Sequence, residues 1–331
     1  MLLAAPYLCA CGGSGTTTTS TVSRSAAGQA GTSRAAAPRA ARPRPATFVY
    51  RPRYLLPAPL KDPAFAALDA GRFALLGGLD SSEVSSASIE IGDIHGVRSS
   101  GSLPLAQHDA QGADLGGKVY VFGGGSATEL DHIISFDPAV GTVSTVGALP
   151  RAQSDVAVAA TGGTAYVVGG YDGTNWLNTI LAWRPGSPVR VAGHLPVGLR
   201  YAAASAVGGR LLVIGGSTPG GASDAIYRFD PASGEVRVIG RMPRPITHAS
   251  AATLGAFVYL IGGRGNDLGS QTASVWSIDP RTGAVAVAGR LPEPLSDTAS
   301  LPIGGAIVVA GGLAPTSTVA GVGELVPARS S

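Results

Sequence analysis

The chain has 331 residues, of which 48 are Gly and 24 are Pro; 45% are hydrophobic and 14% are charged. This composition is typical of a globular protein with many turns, and it excludes long helices and coiled coils. The glycines follow no three-residue period and apolar residues separate them, so collagen and a fully disordered chain are excluded as well.

The net charge of +3 is unevenly distributed along the chain. Residues 1–46 contain five arginines and no acidic residue, which leaves 19 basic and 21 acidic residues in positions 47–331. A folded part with a net charge of −2 does not favour a nucleic-acid partner. The basic tail is open to two interpretations, a solvated linker or a segment that lies on anionic lipid headgroups.

The first eleven residues indicate export. The chain begins MLLAAPYLCACGG, an apolar run much shorter than the roughly 20 residues that span a bilayer. It resembles the end of a signal peptide, and Leu8 to Gly12 is similar to a bacterial lipoprotein signal, in which a small residue precedes a lipidated Cys. The resemblance makes Cys11 the candidate lipid anchor of an extracytoplasmic, membrane-anchored or secreted protein. The alternative is a disordered start with two incidental thiols.

Residues 12–46 form the next segment. They are Gly, Ser, Thr, Ala, Arg and Pro almost throughout, and such a composition buries too little apolar area to offset the entropy of ordering. We expect a flexible linker. Because no Cys follows Cys11, the remaining chain cannot form a disulfide, a zinc–thiolate site or a cysteine nucleophile.

Residues 47–331 contain a repeat. A Leu-Pro or Met-Pro pair recurs every 46 to 49 residues, and Gly-Gly follows each pair 19 or 20 residues later. The pairs end at Pro57, Pro104, Pro150, Pro196, Pro243 and Pro292. Six copies of this length are typical of a repeat architecture in which each copy is one structural unit.

Each copy predicts four short strands, which we name A to D. In the third copy these are 155–160, 164–168, 178–183 and 188–192. The runs AYVVGG, LLVIGG and AIVVAGG indicate B strands buried on both faces, and FDPAVG, FDPASG and IDPRTG indicate tight turns between C and D. Four-stranded units at this period predict an all-β, six-bladed β-propeller.

The repeat combines a strand that ends in Gly-Gly, a variable loop, a strand that ends in Asp-Pro and a closing Leu-Pro. This order resembles kelch repeats over residues 47–331. The sixth copy ends at VPARSS without a D strand, whereas TFVYRPRYLLP at 47–57 ends in Leu-Pro as every D strand does. We therefore expect 47–57 to pair with the C-terminal strand and to complete the last blade, which removes two open sheet edges.

In a propeller of this kind the loops from D to A and from B to C lie on one face, around the channel mouth. We expect the residues that lie five positions after each repeat proline to be on that face. They are Asp62, Asp109, Asp155, Tyr201, His248 and Asp297. Arg200, which precedes Tyr201 in the fourth copy, is a further candidate ligand-binding residue. One interpretation is that these side chains only bond strand ends and channel water; the other is that they bind hydroxyls, a cation or an ammonium group. Packed carboxylates should raise at least one carboxyl pKa.

The B-to-C loops add three candidate ligand-binding residues, Tyr171, Trp176 and Arg264. An exposed Tyr or Trp at a loop tip stacks on a sugar ring or anchors a protein partner, and packing over its own blade is the alternative for Trp176.

Several activities are excluded or disfavoured. No GxxxxGK[ST] motif is present, so the Gly pairs are not phosphate loops. The five His lack any short-range ligand spacing, so we expect no metal and no cofactor. The copper radical oxidases that share the kelch propeller need a Tyr crosslinked to a Cys, which this part of the chain lacks.

Three functions remain, and the third of them is a purely structural module of an envelope complex. The first is a monomeric, non-catalytic binding or scaffold propeller that recognises a glycan, peptide or protein through the loop face and meets a membrane only through an N-terminal lipid. The alternative is an enzyme that resembles the six-bladed kelch mutarotases of acidic sugars, with the carboxylates as acid and base and Arg200 on the substrate carboxylate. No catalytic residue is assigned.

Overall fold

The structure, a computed structural model, describes residues 15–21 and 43–328. The chain divides into two units, Met1–Arg42 and Pro43–Ser331. In the first unit, residues 15–21 are exposed and have no regular secondary structure. The candidate anchor Cys11 and most of the 12–46 segment lie outside the described residues. In the described ranges, no helix is long and apolar enough to cross a membrane.

Over the described residues 43–328, the second unit is all-β apart from one helical turn at Asp69–Gly71. Strand β1 (Phe48–Leu55) opens it and belongs to the last blade. Blades 1 to 3 follow in chain order, and each is an antiparallel sheet of four consecutive strands. Blade 1 has β2 (Ala64–Ala67), β3 (Phe73–Leu76), β4 (Ser86–Gly92) and β5 (Val97–Gln107). Blade 2 has β6 (Gln111–Leu115), β7 (Lys118–Phe122), β8 (His132–Asp137) and β9 (Thr142–Ala148). Blade 3 has β10 (Ala157–Thr161), β11 (Thr164–Val168), β12 (Thr179–Trp183) and β13 (Arg190–His194).

Blades 4 to 6 complete the propeller. Blade 4 has β14 (Ala203–Val207), β15 (Arg210–Ile214), β18 (Ala225–Asp230) and β19 (Glu235–Arg241), and its B-to-C loop carries the small hairpin of β16 (Ser217–Thr218) and β17 (Gly221–Ala222). Blade 5 has β20 (Ser250–Leu254), β21 (Phe257–Ile261), β22 (Thr272–Ile278) and β23 (Val285–Leu295). Blade 6 has β24 (Ala299–Ile303), β25 (Ala306–Ala310), β26 (Gly321–Pro327) and β1. The predicted six-bladed propeller is confirmed.

The hydrophobic core lies between neighbouring blades. The B strands have apolar residues on both sides, and all five residues of β11, β21 and β25 are buried. Aromatic side chains join adjacent sheets edge to face: Tyr166 meets Phe229 at 5.6 Å and Tyr120 meets Trp183 at 4.9 Å. Each blade therefore stabilises the next by burying the apolar face that it cannot bury alone.

The last blade is closed by the N-terminal strand, as predicted. β1 pairs antiparallel with β26 from Phe48 opposite Pro327 to Leu55 opposite Gly321. An ion pair between Arg53 and Glu324 crosses this pairing, and the Glu324 side chain is almost fully buried. Because the first and last strands share one sheet, the propeller has no open edge between its ends.

Candidate functional site

Six residues form a closed ring of backbone hydrogen bonds at the head of the A strands. We call them the ring residues; their φ angles all lie between 50° and 57°. The N–H of each donates to the carbonyl of the ring residue of the preceding blade, at 2.9 to 3.3 Å, and blade 1 donates to blade 6. They are Asp62, Asp109, Asp155, Tyr201, His248 and Asp297, the six positions that the repeat register singled out.

The left-handed backbone explains part of this composition. Asp and His tolerate positive φ better than most residues, whereas Tyr has no such advantage. Tyr201 and His248 stack on one another with ring centroids 3.7 Å apart and an interplanar angle of 22°. The Tyr201 hydroxyl reaches past its neighbour and donates to Asp109 Oδ2 at 3.3 Å. The two aromatic side chains thus cross the inside of the ring.

The carboxyl groups of the ring residues form two pairs. Asp62 is hydrogen-bonded to Asp297, and Asp109 is hydrogen-bonded to Asp155. Burial, and then the charges of Asp297 and Asp109, raise the pKa of Asp62 well above its ordinary value. Burial and the charge of Asp155 do the same for the pKa of Asp109. These directions agree with the expectation that close packing raises a carboxyl pKa, and they favour the protonated forms of Asp62 and Asp109.

His248 is neutral and has a defined tautomer. Arg264 Nη2 lies 3.0 Å from His248 Nε2, and because Arg only donates, Nε2 accepts and Nδ1 carries the proton. That proton points to Thr247 Oγ1 at 3.0 Å. Burial, together with the charges of Arg264 and Arg200, holds the pKa of His248 well below its ordinary value. The 3.9 Å approach of Nε2 to Asp297 Oδ1 is therefore not an ion pair.

The residues before the ring and the residues after each Gly-Gly are neighbours on one face, which we call the loop face. In every blade the residue preceding the ring residue forms a bridge with the residue that follows Gly-Gly, for example Ser154 with Tyr171, Arg200 with Ser217 and Thr247 with Arg264. The two sets of positions that the sequence brought to one face are thus in direct contact.

Arg200 contacts a carboxylate and two aromatic side chains on this face. Its Nε donates to Asp155, whose side chain is 1% exposed. Its guanidinium lies over the Tyr171 ring at 4.0 Å and 5.6 Å from the Trp176 ring, and these two rings meet edge to face at 5.5 Å. We call Tyr171, Trp176 and Arg200 the arginine cluster. All three side chains are partly exposed.

A cavity of about 320 Å³ lies on the other side of the ring. It is lined by the six ring residues and by the A strands that follow them, but by none of the described residues that immediately precede the ring positions. The exposed residues of its lining, Asp114 and Pro302, lie at the ends of the A strands away from the ring. The ring carboxyls therefore face the interior of the channel, which we call the channel cavity, whereas the arginine cluster lies on the loop face.

Sequence reasoning missed four hydroxyls of the channel wall. Ser205 Oγ and Thr253 Oγ1 are 2.7 Å apart, and Ser250 Oγ and Ser300 Oγ are 2.5 Å apart. All four line the channel cavity. The available signal was the replacement of Ala by Ser or Thr within the A strands of blades 4 to 6. Within the described residues, no group of three or more His, Cys, Asp or Glu has an arrangement suited to a metal ion.

Two stretches of the chain, residues 154–187 and 198–243, match the kelch motif. The fold is similar to that of a solved structure titled "Structure of YjhT", with a TM-score of 0.69 and 17% sequence identity over 81% of this chain and 95% of that chain. At this identity the likeness shows the fold alone. No curated protein gives a sequence match. The motif matches and the six-bladed fold together support a kelch-type propeller.

Proposed function

We propose that this protein is a non-catalytic binding propeller that recognises a glycan, peptide or protein partner through the loop face. The observation that carries the proposal is the arginine cluster, where a partly exposed guanidinium is held between a buried carboxylate and two aromatic rings. Tyr, Trp and Arg are the residue types that dominate the binding energy of recognition surfaces.

The arginine cluster is ordered before any partner arrives. Asp155 fixes the Arg200 guanidinium, and Tyr171 supports its face. The loop that carries Tyr171 is itself held by Asp172, which accepts hydrogen bonds from the N–H groups of Thr174 and Asn175. Because these side chains are already fixed, binding has less side-chain entropy to overcome.

The surroundings of the arginine cluster favour a partner with acceptor oxygens. Arg264 makes no ion pair with any carboxylate of the described residues, and its Nη2 reaches the neutral His248. The Arg200 guanidinium is partly exposed, and because Arg can only donate, carboxylates, amide carbonyls and sugar hydroxyls are the groups that complement this surface.

A binding assay with matched variants tests this proposal. The full chain is applied to glycan and peptide arrays and to immobilised envelope extract, and is compared with Trp176→Ala and with Val146→Ala on the outer strand β9, where Val146 is 46% exposed. We expect Trp176→Ala to lose the bound partner and Val146→Ala to keep it. Equal binding by both variants would contradict a loop-face site.

We further propose that the protein is exported and attached to a membrane by a lipid on Cys11, with the Ala-, Ser-, Thr- and Arg-rich segment to residue 46 as the tether. The support is the lipoprotein-like stretch Leu8 to Gly12. Mass spectrometry of the protein expressed in a bacterial host tests it. A diacylglyceryl group on Cys11 that disappears in Cys11→Ser is expected, and a full chain that stays unlipidated would refute the proposal.

The second candidate function is carbohydrate processing of the mutarotase or epimerase kind. The two hydrogen-bonded carboxyl pairs of the ring favour it, because each couples a protonated acid to a carboxylate beside a cavity. NMR exchange between the anomers of neutral and acidic sugars tests it. Rates above the spontaneous exchange that fall in Asp62→Asn are expected, and unchanged rates for every sugar tried would exclude it.

A further inference from the structure

The channel cavity has two chemically different walls. In a six-bladed ring, blades 4, 5 and 6 lie opposite blades 1, 2 and 3. Blades 4 to 6 contribute the four paired hydroxyls Ser205, Ser250, Thr253 and Ser300, together with Thr298, which donates to the Ala310 carbonyl. Blades 1 and 3 contribute mainly Ala and Val side chains, and blade 2 contributes Gln111 and Asp114. A molecule in the channel therefore meets most of the hydroxyls on one side and mostly carbon beside blades 1 and 3.

The four hydroxyls retain unused hydrogen-bonding capacity. They form two pairs, Ser205 with Thr253 and Ser250 with Ser300. Each pair uses one of its two hydroxyl protons, which leaves the other proton and several lone pairs directed elsewhere. One wall of the cavity thus offers both donors and acceptors, the combination that a hydroxyl of a ligand also has.

The ring closes one end of the channel cavity with acceptors. Asp62, Asp109, Asp155 and Asp297 all line it, and Tyr201 crosses the ring to reach Asp109. Carboxylate oxygens accept from ligand hydroxyls, and their charge disfavours an anionic ligand. A cationic ligand is also disfavoured, because the carboxyls bond in pairs that share protons and Asp155 already holds Arg200.

The volume restricts the size of the occupant. About 320 Å³ is at the lower end of the range for small-molecule sites, roughly 300 to 1,000 Å³. Alanine is the commonest residue of the lining along the A strands. A single sugar-sized molecule suits this space better than a chain of several units.

We propose that the channel cavity is a binding site for a neutral polyhydroxylated ring of monosaccharide size, which enters at the end lined by Asp114 and Pro302. The polar face of the ligand lies on the hydroxyls of blades 4 to 6 and its C–H face lies on the Ala and Val side chains of blades 1 and 3, which include Val158. This site is separate from the arginine cluster, which lies beyond the ring residues on the loop face.

Ligand-observed NMR and calorimetry with the full chain test the proposal. The probes are glucose, galactose, mannose and myo-inositol, with glucosamine and glucuronate as the cationic and anionic comparisons. We expect at least one neutral probe to bind, and Ser250→Ala to weaken it by about fivefold or more, since one hydroxyl partner is lost. Ala204→Leu, which adds carbon to the channel wall, should abolish binding.

Two controls separate this site from the loop face. Ser102→Ala removes a hydroxyl of the outer strand β5, which lies outside the cavity, and Trp176→Ala alters the arginine cluster; both should leave the affinity for the neutral probe unchanged. If no neutral probe binds, if only a charged probe binds, or if Ser250→Ala and Ala204→Leu both bind as the wild type does, the proposal is overturned. Loss of a loop-face partner in Trp176→Ala would not affect it.

Discussion

Arg200 joins the channel interior to the loop face through Asp155. The Asp155 carboxylate lines the channel cavity and is 1% exposed, while the Arg200 guanidinium that it holds lies over Tyr171 on the loop face. One ion pair therefore both neutralises a buried charge in the ring and orients the guanidinium toward a partner. The candidate residues in the ring and in the B-to-C loop of blade 3 are parts of one connected arrangement.

The first prediction concerns this ion pair. Asp155→Asn leaves Arg200 without its carboxylate, and we expect a loss of about 3 kcal/mol in the free energy of unfolding, at the lower end for a buried pair because Arg200 is partly exposed. Chemical denaturation measures it. Arg200→Lys keeps the charge and loses the planar contact with Tyr171, so a smaller loss is expected. If Asp155→Asn were as stable as the wild type, the ion pair would not hold the two faces together.

The second prediction concerns pH. The folded-state pKa of Asp62 is raised above its ordinary value near 3.8, so its contribution to stability is fully present below that value and is lost as the pH rises through the folded-state pKa. Asp62→Asn removes this loss. We therefore expect the melting temperature of the variant, relative to the wild type, to increase between pH 4 and pH 9.

Asp137 provides a control of opposite sign. The hydrogen bonds from Lys118 and from the N–H of Ala139 lower the pKa of this partly exposed carboxyl, so its contribution is present above the ordinary pKa and is lost as the pH falls. Asp137→Asn should lose stability relative to the wild type as the pH rises toward about 4 and should change no further above it. Parallel pH profiles for the two variants would contradict the assignment of a protonated Asp62.

The third prediction distinguishes backbone conformation from close packing at the Gly pairs. Gly215 has φ +63°, and a Cβ there would lie 2.2 Å from the carbonyl oxygen of Ile246. Gly208 has φ +57° with no atom within 4 Å of the same position. Gly208→Ala should cost about 1 kcal/mol from the left-handed backbone alone, and Gly215→Ala should cost several times more. Thermal unfolding of both variants measures the difference, and equal costs would show that packing against Ile246 is unimportant.

The fourth prediction concerns closure of the propeller. Deletion of residues 1–57 removes β1 and exposes the edge of β26, and we expect the melting temperature to fall by roughly 10 °C or more at the usual scaling for domains of this size. Deletion of residues 1–42 leaves β1 intact and serves as the control, with no change expected. If both truncated proteins melt together, pairing of β1 with β26 does not stabilise the fold.

Much of the fold was predictable because every blade repeats the same signals. The B strand at 164–168 and the pairing of 47–57 with the last strand agree with β11 and β1. The A and D strands of the third copy begin two residues later than expected, because a period of 46 residues fixes a blade but not the ends of its strands.

The candidate site was predictable in position but not in direction. The register of the repeat identified all six ring residues, because a residue at the same place in each blade must lie at the same height around the axis. The register could not show that the ring carboxyls face the channel cavity while Arg200 faces the loops. Side chains alternate between two sides only within a strand, and both positions precede the A strand of their blade. The hydroxyl pairs of the wall were missed for a related reason: Ser and Thr replace Ala there at different offsets in different blades.

The central claim is recognition through the arginine cluster. The most direct measurement is the affinity of one captured partner, determined by surface plasmon resonance, for the wild type, Trp176→Ala and Val146→Ala. Circular dichroism first establishes that all three proteins are folded. We expect Trp176→Ala to weaken binding by about tenfold or more, as truncation of a central aromatic residue does, and Val146→Ala to bind as the wild type does. Binding that is unchanged in Trp176→Ala would place the partner elsewhere and contradict the account.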